Sequence, residues 1–294
     1  MESKLYFVKK FPLYMNSIRI WESLFALPFA YIAIILASIH NGYSPILLSD
    51  FIWITVAMFS ARTFAMSFNR LANQEEDNNN PRTKNRHLQT GSLNRRDMWT
   101  LIIPCGLLFV FSAFQLNILV LLMSPIALIY IATYSIAKYH TWLCNVMLGT
   151  SLAIAPIGAW LGVTGTISPY PFILGLAVAL WASGFDIIYA CLDFDFDKEY
   201  GTKSVPTKFG IHGALIITKV FHGSAILMLI ILGMSLNLNI LFFIGCTIAS
   251  LLLAYENTIV KPTDLSKVNI AFFRTNGIIS MILLIFTIAS WYAR

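Results

Sequence analysis

Two short polar stretches in an otherwise apolar chain hold the side chains whose types and spacing permit chemistry. The first reads Asn69-Arg-Leu-Ala-Asn73-Gln-Glu-Glu-Asp77, and the second runs from Asp186 through Tyr189, Asp193 and Asp195 to Asp197. On a helix, positions i, i+4 and i+8 share one face. Asn69, Asn73 and Asp77 are therefore predicted to line up as oxygen ligands, and Asp193 and Asp197 repeat the i, i+4 spacing. Asp186 and Tyr189 fall one to two turns earlier on a similar face. Crowded carboxylates repel one another and need cations to be stable. Oxygen donors without His or thiolate ligands suit Mg²⁺, which takes one or two carboxylates and leaves room for water and phosphate oxygens, rather than zinc.

Basic residues surround these stretches: Arg82, Lys84, Arg86, Lys138 and Lys203. Arg62 stands seven residues before Asn69 inside an apolar segment. An ionisable group there is a functional candidate by default, with snorkelling or structural pairing as the plainer reading. Acidic metal sites ringed by Lys and Arg match a diphosphate, whose charge the metal and the cations share. The combination points to metal-assisted departure of diphosphate from a lipid-soluble substrate whose tail lies in the bilayer or an apolar tunnel. Arg62, Arg82, Arg86, Lys138 and Lys203 are the candidate diphosphate or acceptor contacts. Asp186, Asp193 and Tyr189 are the candidate catalytic groups, with Asp186 or Asp193 orienting or deprotonating an acceptor. For Lys and Arg in loops, a topology signal is the equal alternative.

The elements that must position these groups are legible in the composition. Of 294 residues, 57% are hydrophobic and only 12% charged, with mean hydropathy +0.72. A soluble domain is about 45–50% apolar and about 25% charged, so a water-soluble enzyme with one core and a disordered chain are both excluded. Long uninterrupted apolar runs argue for helices over a barrel. Nine candidate spans follow, at 20–39, 47–69, 98–115, 117–137, 141–163, 170–192, 211–234, 236–256 and 269–291. Residues 1–16 lack a signal-peptide core and cleavage site, so the first run is read as a retained helix. Lys and Arg crowd the loops after spans two, four, six and eight and are missing after one, three, five and seven. This alternation predicts a cytoplasmic N-terminus and places both polar loops, about 70–97 and 193–210, on that same face.

The net charge of +6 belongs to this positive-inside pattern and not to a nucleic-acid surface. Cys105, Cys144, Cys191 and Cys246 lie singly in or beside apolar runs and read as packing residues. Eight of the fourteen acidic residues fall in the two stretches once Glu199, just past Asp197, is counted, and the stretches lie about 120 residues apart. That spacing is a faint sign of two four-helix halves.

At these residues the chain resembles the UbiA superfamily of intramembrane prenyltransferases, which carries an NxxxDxxxD-type motif after its second helix and DxxxD after its sixth. The matching residues are Asn69–Asn73–Asp77 followed by Asn-Pro-Arg-Thr-Lys-Asn-Arg (80–86), and Tyr189, Asp193 and Asp197 followed by residues 198–206. Tyr134-Ser135 with Lys138 resembles the family's Tyr…Lys element. Residues 24–30, 68–71, 186–190 and 264–269 look like bacterial 4-hydroxybenzoate polyprenyltransferase-like proteins, including those of the futalosine route to menaquinone. The resemblance implies a nine-helix UbiA-type bundle forming a single intramembrane prenyltransferase domain over 1–294. It implies Mg²⁺-dependent transfer from polyprenyl diphosphate to a small aromatic acid, 4-hydroxybenzoate-like or a naphthoate, in quinone (menaquinone or ubiquinone) biosynthesis. The expected metal ligands are Asn69, Asn73, Asp77, Asp193 and Asp197. Asn73 departs from the family's usual Asp: its amide oxygen can ligate Mg²⁺ but brings no charge, and Glu75, Glu76 or Asp195 are the candidates to compensate.

Sibling activities keep the fold and metal site but change the acceptor to haem O chemistry, a chlorophyllide or a glyceryl phosphate. A transporter of anionic metabolites is the rival from another class, although transporters place ionisable groups near the bilayer midplane and these lie at one face. An inactive lipid-binding relative is a third reading. The expected location is a bacterial or archaeal plasma membrane, multi-pass, with the site toward the cytoplasm. The oligomeric state is left open.

Overall fold

The computed structural model describes residues 2–19 and 23–293. It is helical throughout, with one isolated bridge between Lys261 and Asp264. The long helices are α2 (Ser23–His40), α3 (Leu48–Ala72), α5 (Arg95–Leu116), α6 (Ile118–Ala137), α7 (Cys144–Thr164), α8 (Tyr170–Ala190), α10 (Val205–Ser235), α11 (Ile240–Ile259) and α12 (Asn276–Tyr292). Short helices α1 (Glu2–Ser17), α4 (Gln74–Asn79) and α9 (Phe194–Tyr200) lie between them or at the start. Each long helix packs on the next in chain order, and α2 closes the ring by touching α12 and α3 while also crossing to α7.

Eight helices among the described residues are long and apolar enough to cross a membrane; α2, apolar over Ala26–His40, is shorter. The first expected span begins at residues 20–22, which lie outside the described residues. The protein is an integral, multi-pass, all-α membrane protein. Its outer surface is correspondingly apolar: Leu107, Leu122, Ile126, Val220 and Leu251 are all exposed, as lipid-facing side chains must be.

One expected junction is confirmed, and two features at helix starts differ from the expected ones, each for an identifiable reason. The least distinct predicted junction, between the third and fourth spans, is a true break at Asn117. Its backbone is extended, its Oδ1 accepts from Val120 N, and its Nδ2 donates to the Leu161 and Gly162 carbonyls of α7. Asn117→Ala removes this cap and both cross-helix bonds. It is expected to destabilise the fold by about 1–3 kcal/mol, read as a lower midpoint of thermal unfolding in detergent. Secondly, α10 starts at Val205 and not at 211, because Gly210 adopts φ 72° and lets two helical pieces join at a bend. Thirdly, the N-terminal residues read only as lacking a signal peptide form α1. Tyr14 and Ile18 at its end are buried against Met66, Leu88, Leu93 and Met98. Lys10 Nζ pairs with Asp97 at 2.7 Å, and Tyr14 Oη donates to the same carboxylate at 3.1 Å.

The core is tightest where α7 meets α8. A Cβ at Gly149 would stand 2.1 Å from Ser183 Oγ and 2.3 Å from the Ala179 carbonyl, so the two backbones approach as only glycine permits. This contact fixes α8, whose lower end carries Asp186 and Tyr189.

Candidate active site

Both polar stretches are built alike. A long membrane helix ends, one residue leaves helical geometry, and a short helix follows. In the first, α3 ends at Ala72 and Asn73 takes φ −107°, ψ 19° before α4. In the second, α8 passes through a 3₁₀ turn, Cys191–Asp193, and Asp193 takes φ −101°, ψ 6° before α9. The two breaks face one cavity of about 700 Å³. Its polar end is lined by Asn69, Glu76, Asp77, Asn80, Asp193 and Asp197. Its remainder is apolar, with wall residues such as Phe109, Leu116, Ile131, Leu161 and Phe172 drawn from α5, α6, α7 and α8.

Three basic residues near the polar end each grip one carboxylate. Arg86 Nη1 lies 2.6 Å from Asp77 Oδ2, and Lys138 Nζ 2.6 Å from Glu76 Oε1. Arg82 reaches across to the other break as a fork, with Nε donating to Asp193 Oδ1 at 2.8 Å and Nη2 to Oδ2. Bidentate guanidinium–carboxylate pairs of this kind are directional as well as strong. Arg82 Nη1 also donates to Tyr189 Oη at 2.9 Å, and its guanidinium sits 5.0 Å over that ring. Asn80 prepares the reach: its Oδ1 accepts from Arg82 N at 2.8 Å, and its Nδ2 donates to Asp193 Oδ1 at 3.1 Å. Desolvation alone would depress the Arg82 pKa, but the hydrogen bonds and charge of Asp193 outweigh it and hold it above the usual value. Arg86 goes the other way, lowered by burial despite Asp77.

Below this level, Tyr189, Phe185 and Phe272 form an aromatic wall. Tyr189 and Phe272 are 4.4 Å apart by ring centroids, and Phe185 and Phe272 meet edge-on at 5.2 Å. Asp186 lines the cavity beside them. Its Oδ2 accepts from Asn145 Nδ2 at 2.8 Å, and Asn145 Oδ1 in turn accepts from Val205 N at 3.0 Å. Arg62 lines the wall within α3, and Lys203 lines it from the loop before α10, where Nζ donates to the His140 carbonyl at 3.1 Å.

The geometry thus brings together Arg62, Asn69, Asp77, Arg82, Arg86, Lys138, Asp186, Tyr189, Asp193, Asp197 and Lys203 around one cavity. Asn73 is the exception. The break at this residue interrupts the expected single face, and its side chain turns away from the cavity at 2% exposure. Its Nδ2 donates to the Asn69 and Ser135 carbonyls at 2.9 and 3.1 Å, and its Oδ1 accepts from Tyr139 Oη at 2.8 Å. Burial and the nearby Glu76 charge raise the Tyr139 pKa far above the usual phenol value, so it remains a neutral donor. Asp195 is exposed and is not part of the wall. Glu76, Asn80 and Asn145 belong to the site although their spacing did not single them out as ligands. The Asn-Pro-Arg turn signal at 80–82 was the available sign for Asn80.

Among the described residues no three His, Cys, Asp or Glu side chains converge into one ligand set. The oxygen donors instead stand in two groups across a gap, an arrangement that suits a cation completed by substrate phosphate oxygens.

The sequence profile of the UbiA prenyltransferase family matches residues 26–278. The chain belongs to that family. It is therefore a prenyltransferase, and the transporter reading is set aside. A 4-hydroxybenzoate octaprenyltransferase of Alkalilimnicola ehrlichii is 28% identical over 216 residues, covering 74% of this chain and 73% of the relative. The apo structure of a UbiA homolog from Aeropyrum pernix K1 superposes with TM-score 0.83 at 29% identity, over 92% of this chain and 98% of that one. A UbiA homolog from Archaeoglobus fulgidus, solved bound to DMAPP and Mg²⁺, shares the fold with TM-score 0.66 at 20% identity, over 96% and 99% of the two chains.

Proposed function

We propose that this protein transfers a polyprenyl group from polyprenyl diphosphate to an aromatic carboxylic acid, 4-hydroxybenzoate-like or a naphthoate, in quinone biosynthesis. The observation that carries the reading is the single cavity with two acidic helix breaks and three gripping cations at its polar end, and apolar walls elsewhere. The octaprenyl donor and hydroxybenzoate acceptor named for the relatives fit that division.

The chemistry divides among the residues as follows. Asn69, Asp77, Asp193 and Asp197 would hold Mg²⁺, which neutralises diphosphate and favours its departure. The buried, partnerless Glu76 Oε2 beside them supports a cation in this oxygen set. Arg82, Arg86 and Lys138 bind diphosphate oxygens as point charges and forks. The apolar walls hold the prenyl chain and exclude water from the allylic carbon. The faces of Tyr189, Phe185 and Phe272 stabilise positive charge developing there. The C1–O bond breaks with its electron pair leaving on diphosphate, and a ring carbon of the acceptor forms the new bond to C1. Asp186 orients the acceptor and takes the displaced ring proton. Arg62 and Lys203 stand as further contacts for acceptor carboxylate or diphosphate.

The chain acts as a single intramembrane domain over 1–294. Its polar end faces the cytoplasm of a bacterial or archaeal plasma membrane, as the alternation of basic loops supports. Purified protein given labelled polyprenyl diphosphate and a panel of aromatic acids is expected to prenylate one acid with Mg²⁺ and none with EDTA. Product on a porphyrin, chlorophyllide or glyceryl phosphate, with none on any aromatic acid, overturns the acceptor assignment.

A further inference from the structure

Glu76 is the acidic residue that the i, i+4 pattern passes over, one helical turn after Asn73. It lines the cavity and is 4% exposed. Lys138 fixes its carboxylate by donating to Oε1 at 2.6 Å. Oε2 is buried and has no hydrogen-bond partner. An ionised oxygen removed from water without a donor is costly, and a hard cation is the partner that satisfies it without needing an N–H or O–H. Asn73 has the opposite character. Its amide is committed at both ends, to two backbone carbonyls and to the Tyr139 hydroxyl, away from the cavity. The exchange falls at the helix break: Asn73 leaves helical geometry, α4 begins anew, and Glu76, three residues on, lines the cavity that Asn73 does not.

We propose that Glu76 Oε2 is a metal ligand of this site, replacing Asn73 as the ligand supplied by the turn between α3 and α4, an inference that rests on the prenyl-transfer reading above. The first break then contributes Asn69, Glu76 and Asp77, two of them charged, and the second Asp193 and Asp197. Lys138 is the positioning residue that holds Oε1 and leaves Oε2 for the cation. Asn73, with Tyr139 and Ser135, is a hinge pin that ties α3 to the end of α6.

The test reads metal binding without turnover. Mn²⁺ is titrated by electron paramagnetic resonance into the full chain in detergent, with geranyl thiodiphosphate as an unreactive substrate mimic. Glu76→Gln is expected to weaken Mn²⁺ binding by more than about tenfold, the least that loss of even an outer-shell partner costs, while Glu75→Gln leaves it unchanged. A second variant, Glu76→Cys, reports ligation itself. It is expected to prefer Cd²⁺ and to show an ultraviolet thiolate-to-cadmium charge-transfer band that neither wild type nor Glu75→Cys shows. Wild-type Mn²⁺ affinity in Glu76→Gln, or no new band in Glu76→Cys, overturns the assignment. If Asp193→Asn abolishes Mn²⁺ binding while Glu76→Gln does not, only the Glu76 role fails. A wild-type chain that binds no Mn²⁺ with the thiodiphosphate sinks the prenyl-transfer reading, and the Glu76 ligand with it.

Discussion

Asp193→Ala is expected to lower kcat by about 10³-fold or more while leaving the bundle folded. Removing one preorganised electrostatic contact typically costs about 10²–10³-fold, and here a single truncation undoes three things. It deletes a proposed metal ligand at the second break. It releases the Arg82 fork, which is held by both carboxylate oxygens of Asp193. It also frees Tyr189, whose hydroxyl and ring are fixed by that same guanidinium. The residue lies at a partly exposed turn and not in any apolar cluster, so the thermal midpoint is expected to stay near wild type. Steady-state transfer of labelled prenyl diphosphate, alongside thermal unfolding, is the measurement. A folded variant keeping more than about a tenth of the wild-type rate would contradict both the ligand role and the clamp role, since either alone costs more than that. Arg82→Lys separates the two, because lysine keeps the charge but cannot form the fork.

Much of this arrangement was legible in the chain. Apolar run length located the helices, because a bilayer demands long uninterrupted spans. The uneven placement of acids located both breaks, because charge inside such spans is too costly to be scattered. Less legible was how the chain turns at those places. Counting i, i+4 and i+8 assumes one continuous helix, and Asn73 and Asp193 are the residues where the helices stop. At Asp193 the side chain still reaches the cavity, so the count placed it at the cavity wall. At Asn73 the side chain swings to Tyr139 and the Ser135 carbonyl, partners 66 and 62 residues away in sequence, which no local periodicity reveals. Asn145 was silent for the same reason: its role depends on Asp186, 41 residues on. The α1 helix was hidden because its stability comes from packing on the 88–98 segment rather than from an apolar run of its own.

Asp186→Asn is expected to lower kcat by about 10²-fold, within the range for loss of a general base, with little change in the KM for prenyl diphosphate or in metal affinity. The residue sits on α8 two turns before Asp193, next to Phe185, and lines the same cavity. Its contact is the Asn145 amide, which is itself fixed by Val205 N, so the carboxylate is oriented by neutral donors and not tied up by an Arg or Lys. Such a group is free to accept a proton, as a carboxylate locked in an ion pair is not. Asparagine preserves the size and one acceptor oxygen but removes the basicity. The two substitutions should therefore divide the kinetics between the substrates. Asp193→Ala disrupts metal and diphosphate together, whereas Asp186→Asn slows the step at the acceptor after diphosphate is in place. Measuring KM for each substrate in both variants tests that division. A rise in prenyl diphosphate KM for Asp186→Asn as large as that for Asp193→Ala would move Asp186 into the diphosphate site and leave the acceptor proton without a base among the cavity residues assigned here.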